Sequence, residues 1–191
     1  MKSESLLRTP KDVMCMYIRK MILYMGDSPD RAGLVDTPNR VLKAWEELFS
    51  GYNSSPKLTT FDSNGYDEMV ISKNIEYYSF CEHHILPFFG NASIGYIPNK
   101  KILGLSKMAR IVECYSRRLQ NQERLTKLIA EEIQRAVDPI GVGVILTGKH
   151  FCMMSRGIQK QNSEMVTSFL IGAIKKKPEA RQEFMKLTER R

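Results

Sequence analysis

Residues 69–97, MVISKNIEYYSFCEHHILPFFGNASIGYI, carry the clearest pattern of a strand pair in the chain. In the first half, apolar residues recur at alternating positions, which is typical of a strand with one buried face. Residues 88–97 predict a second strand by the same criterion. The short connection between the two strands carries cysteine and histidine, so its geometry matters for function as well as for fold.

The sequence on either side of this strand pair predicts helices and a second strand pair. Apolar residues at helical spacing predict a helix over 11–26, and Thr37 followed by Pro38 predicts the start of another, with Thr37 as N-cap, that runs to about Phe49. Residues 51–66 are rich in Asn, Ser, Pro and Gly and predict a loop. We further predict helices over 106–120, to Val137 and from Pro178, and strands over 141–148 and 164–174. This order favours an α+β fold with a largely antiparallel sheet.

Length and composition indicate an ordinary globular protein. The chain has 191 residues, of which 42% are hydrophobic and 26% charged, enough for one domain with its own core. No apolar run is long enough to span a bilayer, and the first residues lack the pattern of a secretory signal, so we expect a cytoplasmic location. The four cysteines are then expected as reduced thiols or metal ligands rather than disulfides.

The chain is basic, with a formal net charge of +8 at pH 7. This excess fits a solvated surface that aids solubility, and it fits a polyanionic partner, either a nucleic acid or a phosphorylated small molecule. Composition alone leaves both open.

Histidine and cysteine occur together in two short segments. His83 and His84 follow Cys81 closely, and His150 precedes Cys152 by two residues. Thiolate and imidazole are the ligands that zinc prefers, and a catalytic zinc takes three protein ligands and keeps one position open. The two segments therefore predict a metal site if the ends of two strands bring them together, with Cys81, His84 and Cys152 as ligands.

Other interpretations of these residues stay open at this point. A single Cys-x-x-His match is common in proteins that bind no metal, and His83 or His150 could be a polar residue satisfied near a strand end. Neighbouring side chains on an extended chain point to opposite faces, so we expect His83 and His84 to differ in role. Cys15 and Cys114 lie on predicted helices, and we expect them to be buried thiols.

A second cluster lies at the start of the predicted helix over 106–120. Ser106 is placed at the helix N-terminus, where free N–H groups and the helix dipole favour an anion. Lys107 and Arg110 lie three residues apart on one side of the first turn. The cluster predicts a phosphate site, although an ordinary capped helix with two solvated basic residues has the same pattern.

Gln122 and Glu123 lie between two predicted helices. The Glu123 carboxylate could accept hydrogen bonds from a guanine-like pair of N–H groups, or it could cap the second helix.

Several segments together resemble one protein family. From about residue 30 to 187 the chain is similar to GTP cyclohydrolase I in the order of its motifs. These are CEHHILPF (81–88), GYIP (95–98), LGLSKMAR (103–110), YSRRLQNQERLT (115–126), and HFCM (150–153) followed by Arg156-Gly157.

The resemblance implies a zinc-dependent enzyme that converts GTP and water to 7,8-dihydroneopterin triphosphate and formate. The guanine imidazole ring would open by hydrolysis at C8, the ribose would rearrange and the ring would close again. The implied architecture is the tunnelling fold, an antiparallel four-stranded sheet with helices on one face. Residues 67–191 would form the catalytic domain after an N-terminal helical segment, 1–66. The family also implies a homodecamer with active sites at subunit interfaces, and no nucleic-acid or membrane partner.

The resemblance also implies a role for each candidate site residue. The zinc ligands would be Cys81, His84 and Cys152, and proton transfer would fall to His83 and His150. The triphosphate would contact Ser106, Lys107, Arg110 and Arg156, with Arg40 and Lys43 reaching it from a neighbouring subunit, and guanine would contact Glu123 and Gln122.

Two rival functions differ from this one in testable ways. Another tunnelling-fold enzyme, such as a nitrile reductase of the queuosine pathway, would use a cysteine nucleophile and NADPH. A basic nucleic-acid-binding protein with a structural zinc would need a fourth protein ligand. The number of ligands therefore separates a catalytic from a structural metal.

Overall fold

The computed structural model describes residues 9–189, which divide after Phe49 into two compact units. The first unit contains α1 (Pro10–Tyr24) and α2 (Thr37–Leu48), which pack against each other. Thr9 caps α1 by a reciprocal pair of hydrogen bonds with Asp12. The two predicted helices are confirmed, but Asp36 rather than Thr37 is the N-cap of α2. Pro38 then lies in the first turn of the helix. Proline is tolerated there because the N–H groups of the first turn have no intrahelical partner, so its missing N–H costs no hydrogen bond.

The second unit contains a main sheet, a small two-stranded sheet and five helices. A 3₁₀ turn over Ser50–Asn53 precedes the first strand. The strands are β1 (Thr60–Asp62), β2 (Val70–Cys81), β3 (Pro87–Ile97), β4 (Lys101–Leu103), β5 (Leu119–Gln120), β6 (Gly141–His150) and β7 (Met165–Ile171). The helices are α3 (Lys107–Ser116), α4 (Gln122–Val137), α5 (Phe151–Met154), α6 (Gly172–Lys176) and α7 (Pro178–Thr188).

The main sheet has the strand order β5-β2-β3-β6-β7. The four long strands pair antiparallel, as predicted, and β5 adds two residues parallel to β2 at the edge. The sheet therefore has five strands rather than four. β1 and β4 form a separate two-stranded antiparallel sheet.

One face of the main sheet forms the core with α3 and α4. Alternate residues of β3 and β6, such as Ile94 and Val144, are fully buried against apolar residues of these helices, such as Ile129. The opposite face is covered in part by α7, because the Phe184 ring packs on Gly95 and Gly143, where a Cβ atom would lie 2.8 and 2.7 Å from the ring. Helices therefore lie on both faces, and the expectation of helices on one face holds for α3 and α4 only.

Local differences from the sequence prediction have identifiable causes. The helix predicted over 106–120 ends at Ser116, and β5 follows. The strand predicted over 164–174 ends at Ile171 because Gly172 takes a left-handed conformation, with φ of 59°, and begins α6. The predicted loop 51–66 contains the end of the 3₁₀ turn and β1. Within residues 9–189, no helix has the length and apolar character needed to cross a membrane.

Candidate functional site

The candidate site lies where β2 and β6 end. Both strands pair antiparallel with β3, so they run in the same direction and their carboxyl ends lie at the same edge of the sheet. The register pairs Phe80 with Pro87 at the end of β2, and Phe88 with His150 at the end of β6. The two cysteine- and histidine-containing segments therefore leave the sheet beside each other.

A tight turn after β2 folds the histidines back toward Cys81. The Cys81 carbonyl accepts hydrogen bonds from the N–H groups of His84 (3.3 Å) and Ile85 (2.8 Å), and the Cys81 N–H donates to Leu86 (2.8 Å). Ile85 takes a left-handed conformation, with φ of 54°. This is rare for a β-branched residue, and its position in the turn suggests backbone strain held by the hairpin.

Three side chains from the two segments form a group that could hold a metal ion. The Cys81 and Cys152 sulfurs and one His84 ring nitrogen lie within 4.8 Å of one another. Cys81 is buried, Cys152 is half-buried on α5, and His84 is exposed. Two thiols and one imidazole are a donor set that suits zinc. Among the residues that the structure describes, the group has three members.

His83 also approaches the same thiol. Its Nδ1 lies 3.7 Å from the Cys81 sulfur, close to the 3.8 Å of the His84 Nδ1. The two rings therefore do not point to opposite faces as expected, because residues 82–84 form a turn and not a strand. The His83 side chain is 65% exposed, and its Nε2 lies 3.9 Å from Glu82.

The thiol of Cys152 has an environment that opposes ionisation in the absence of a cation. Burial raises the pKa of Cys152, the neighbouring Cys81 thiol raises it further, and the Arg156 guanidinium lowers it. Two thiols at close range cannot both ionise cheaply, whereas a bound cation favours the thiolate of each. This pair is therefore suited to a cation.

Glu82 connects the turn to the start of α4. Its carboxylate accepts hydrogen bonds from Arg124 (2.6 Å) and Asn121 (3.0 Å), and its N–H donates to the Gln120 carbonyl (3.0 Å). The Arg124 hydrogen bond is the main reason that the pKa of Glu82 is lowered. Sequence reasoning missed Glu82 and Asn121 as supports of the site. The only available signal was their position, one beside a ligand and the other before a helix.

His150 is held between the sheet and α4. Its ring stacks on Phe88, with centroids 4.5 Å apart and planes 6° from parallel. Its Nε2 lies 2.9 Å from Oε1 of Gln122, a side chain that is only 1% exposed. Burial lowers the pKa of His150, and the Glu123 carboxylate acts in the opposite direction.

The predicted anion cluster lies at the start of α3. Ser106 is the N-cap residue, but its side chain makes no capping hydrogen bond, so the hydroxyl is not committed to the helix. Lys107 is half-buried and Arg110 exposed in the first turn. Arg110 also lines a cavity of about 370 Å³ together with two other cations, Lys57 and Arg117.

Glu123 is exposed in the first turn of α4. The cap of this helix is Asn121, whose side chain accepts a hydrogen bond from the Arg124 N–H at 2.7 Å. The alternative that Glu123 serves as the cap is therefore wrong, and its carboxylate is available for another partner.

The remaining predicted contacts lie on separate segments. Arg156 is exposed in the loop after α5. Arg40 and Lys43 are exposed on α2, in the N-terminal unit, where Arg40 pairs with Asp36 at 3.4 Å. The role predicted for Arg40 and Lys43 involves a neighbouring subunit and stays a prediction.

Sequence comparison places the chain among known proteins. The model of the family described as GTP cyclohydrolase I matches residues 14–189. Proteins named GTP cyclohydrolase 1 are similar: that of Wolinella succinogenes is 49% identical over 88% of this chain and 91% of its own length. The Leptospira biflexa protein is 52% identical over 89% of this chain and 94% of its own length. The Methylococcus capsulatus protein is 50% identical over 94% of this chain and 98% of its own length.

A solved structure also matches over part of the chain. The apo form of the archaeosine synthase QueF-Like covers 55% of this chain and 93% of its own, at 22% identity and a TM-score of 0.45.

Replacement of one thiol tests the metal group. Cys152→Ala removes one of the three ligand atoms, so the protein purified with zinc is expected to lose nearly all bound metal, as measured by the zinc-to-protein ratio. Cys114→Ala is the matched control because Cys114 is buried and bonds the Ser54 carbonyl at 3.4 Å. A Cys152→Ala protein with the metal content of the control would contradict the ligand assignment.

Proposed function

Because the chain belongs to the GTP cyclohydrolase I family, we propose that it is a zinc-dependent enzyme that converts GTP and water to 7,8-dihydroneopterin triphosphate and formate. The observation that carries the proposal is the approach of the Cys81, His84 and Cys152 ligand atoms to within 4.8 Å of one another. Three protein ligands suit a catalytic zinc, whereas a structural site takes four.

We propose Cys81, His84 and Cys152 as the ligands of the zinc ion. A bound zinc ion would lower the pKa of water toward neutrality and would so supply a nucleophile for the hydrolysis at C8 of guanine. The two cysteines supply negative charge, and the tight turn after β2 orients His84 toward them. Glu82 and its contacts with α4 hold that turn in place.

His83 and His150 are the proposed proton-transfer groups. The conversion opens the imidazole ring by hydrolysis, releases formate by a second hydrolysis and loses one water when the new ring closes, so one water is consumed in total. Each step moves protons onto or away from nitrogen and oxygen. Imidazole can do this near neutral pH. His83 is exposed beside the Cys81 thiol, and His150 is fixed by stacking on Phe88.

The triphosphate is proposed to bind the basic residues outside the metal group. Ser106, Lys107 and Arg110 offer a hydroxyl and two cations at the N-terminus of α3, where the dipole favours an anion. Arg156, Arg40 and Lys43 would add charge, the last two from a neighbouring subunit. Binding of this remote group positions guanine for reaction.

Guanine recognition is assigned to the Glu123 carboxylate, which can accept two hydrogen bonds from neighbouring N–H groups. Gln122 was expected to contact guanine as well. Its side chain contacts His150 and the sheet, so we propose that it supports the site through His150, and its contact with guanine stays a prediction.

The finer architecture is proposed on the same basis. The four long antiparallel strands, with α3 and α4 on one face, support the tunnelling fold, with 67–191 as the catalytic region after an N-terminal segment, 1–66. A homodecamer with active sites at subunit interfaces, a cytoplasmic location and the lack of nucleic-acid or membrane partners stay predictions. Of the two explanations of the net positive charge, we propose attraction of a phosphorylated substrate.

The direct test is an assay of the zinc-loaded protein with GTP. Formate release and the fluorescence of the oxidised pterin product are expected to rise together, and a chelator is expected to abolish both. Formation of neither product by a folded, zinc-loaded protein would refute the proposed reaction.

Replacement of Lys107 tests the phosphate site. Loss of one charge-assisted contact of about 1.5–3 kcal/mol predicts that Lys107→Ala lowers kcat/KM for GTP by about 10- to 100-fold, mainly through KM. Lys101→Ala, an exposed lysine on β4, is the control and should change kcat/KM little. Equal kinetics in the two variants would remove Lys107 from the site.

A further inference from the structure

Gln122 connects His150 to the interior of the sheet. Its side-chain Nε2 contacts the carbonyls of Leu146 (3.1 Å) and Met165 (3.0 Å) and the Thr167 hydroxyl (3.1 Å). Its Oε1 lies 2.9 Å from the His150 Nε2. A buried amide is stable only when its donors and acceptors have partners, and here both ends of the amide have them.

The orientation of this amide follows from its partners. Peptide carbonyls can only accept hydrogen bonds, so the carbonyls of Leu146 and Met165 must face the NH₂ group of Gln122. The reversed amide would place Oε1 against both carbonyl oxygens, with no hydrogen between them. The Oε1 atom therefore faces His150.

The neighbouring hydroxyls agree with this orientation. The Thr126 hydroxyl donates to the main-chain carbonyl of Gln122 at 2.6 Å, which uses its hydrogen. The Thr167 hydroxyl, 2.6 Å from that of Thr126, must then be the donor of that pair. Its lone pairs remain free to accept, so the two hydrogens of the Gln122 NH₂ group can be shared among the two carbonyls and this hydroxyl.

An amide oxygen can only accept, so the His150 Nε2 must carry a hydrogen. In a neutral imidazole the other nitrogen, Nδ1, is then the ring's one proton acceptor. We propose that Gln122 is a positioning residue that fixes His150 with its hydrogen on Nε2 and presents Nδ1 for proton transfer. This rests on the proposed role of His150 in the reaction.

The local packing leaves space for this arrangement. A Cβ atom on Gly148 would lie 2.4 Å from the Gln122 Oε1 and 2.7 Å from the Tyr77 hydroxyl. Gly148 therefore allows the amide oxygen to approach the sheet beside His150. Stacking on Phe88 fixes the plane of the ring, and the amide fixes which nitrogen faces inward.

Loss of the Gln122 amide is predicted to affect kcat and KM differently. The polar atoms of the Gln122 side chain are used inside the protein, whereas the adjacent Glu123 is exposed. Loss of the Gln122 amide is therefore expected to lower kcat for GTP by about tenfold or more and to leave KM within about twofold.

The experiment reads the hydrogen position directly. The zinc-loaded full chain is labelled with ¹⁵N-histidine and studied by solid-state NMR at one fixed pH. The chain has three histidines, and His83→Ala and His150→Ala variants assign the signals. We expect the wild-type His150 to carry hydrogen on Nε2 and none on Nδ1.

Two substitutions of Gln122 have opposite expected results. Gln122→Met keeps the approximate shape of the side chain but removes the acceptor for the Nε2 hydrogen of His150. The His150 ring is then expected to be a mixture of tautomers, part of which carries the hydrogen on Nδ1. Gln122→Glu keeps an oxygen toward His150 and, with its other oxygen protonated so that it donates to a sheet carbonyl, is expected to retain the hydrogen on Nε2. Gln120→Met is the control, because Gln120 is equally buried but accepts from Arg124 and donates to the Tyr115 carbonyl, and it should keep the wild-type signal.

The outcomes are separable from those of the proposed reaction. A wild-type His150 with hydrogen on Nδ1, or a Gln122→Met protein that keeps only the Nε2–H form, would overturn the positioning role. Wild-type protein with the expected signal but no activity on GTP would refute the reaction and leave the control of His150 by Gln122 in place. If Gln122→Met does not fold, the wild-type and Gln122→Glu spectra still decide, because each must show the Nε2–H form.

Discussion

The site depends on one constraint, the pairing of β3 with a strand on each side. Because β2 and β6 both run antiparallel to β3, they run parallel to each other and end at the same edge. Cys81 is the last residue of β2, and Cys152 follows the end of β6 by two residues. Successive side chains of a strand point to opposite faces of the sheet. A slip of the register by one residue would therefore move the buried apolar side chains of that strand to the other face, so the register is hard to shift. The same burial that stabilises the sheet therefore sets the spacing of the two sulfurs.

The first turn of α4 connects the two halves of the site. Asn121 and Arg124 contact Glu82 in the turn that carries His84, while Gln122 contacts His150 at the end of β6. Glu82, Asn121 and His150 are half-buried and Gln122 is buried, which is costly unless their hydrogen bonds are made. Because α4 also packs on β6 and β7 through apolar residues, its position is fixed by the core. The precision of the polar site thus derives from hydrophobic packing.

The sequence predicted the long elements because their apolar periodicity is strong, as in β2, β3 and α4. It did not predict β4 and β5, which have three and two residues and are too short for any periodicity to show. The α6 helix was missed because its start depends on the left-handed backbone of Gly172, which local composition does not reveal. For the site, clustering of cysteine and histidine identified the three members of the metal group. The contacts of Glu82 and Gln122 could not be predicted, since their partners come from distant segments and the hydrogen bonds depend on the packed structure.

We propose that Cys81, His84 and Cys152 hold one zinc ion and leave one coordination position open. X-ray absorption at the zinc edge of the zinc-loaded protein measures this most directly. We expect two sulfur ligands at about 2.3 Å and two lighter ligands, one imidazole nitrogen and one oxygen, at about 2.0–2.2 Å. A spectrum with fewer than two sulfurs, or with two imidazoles and no oxygen, would contradict it.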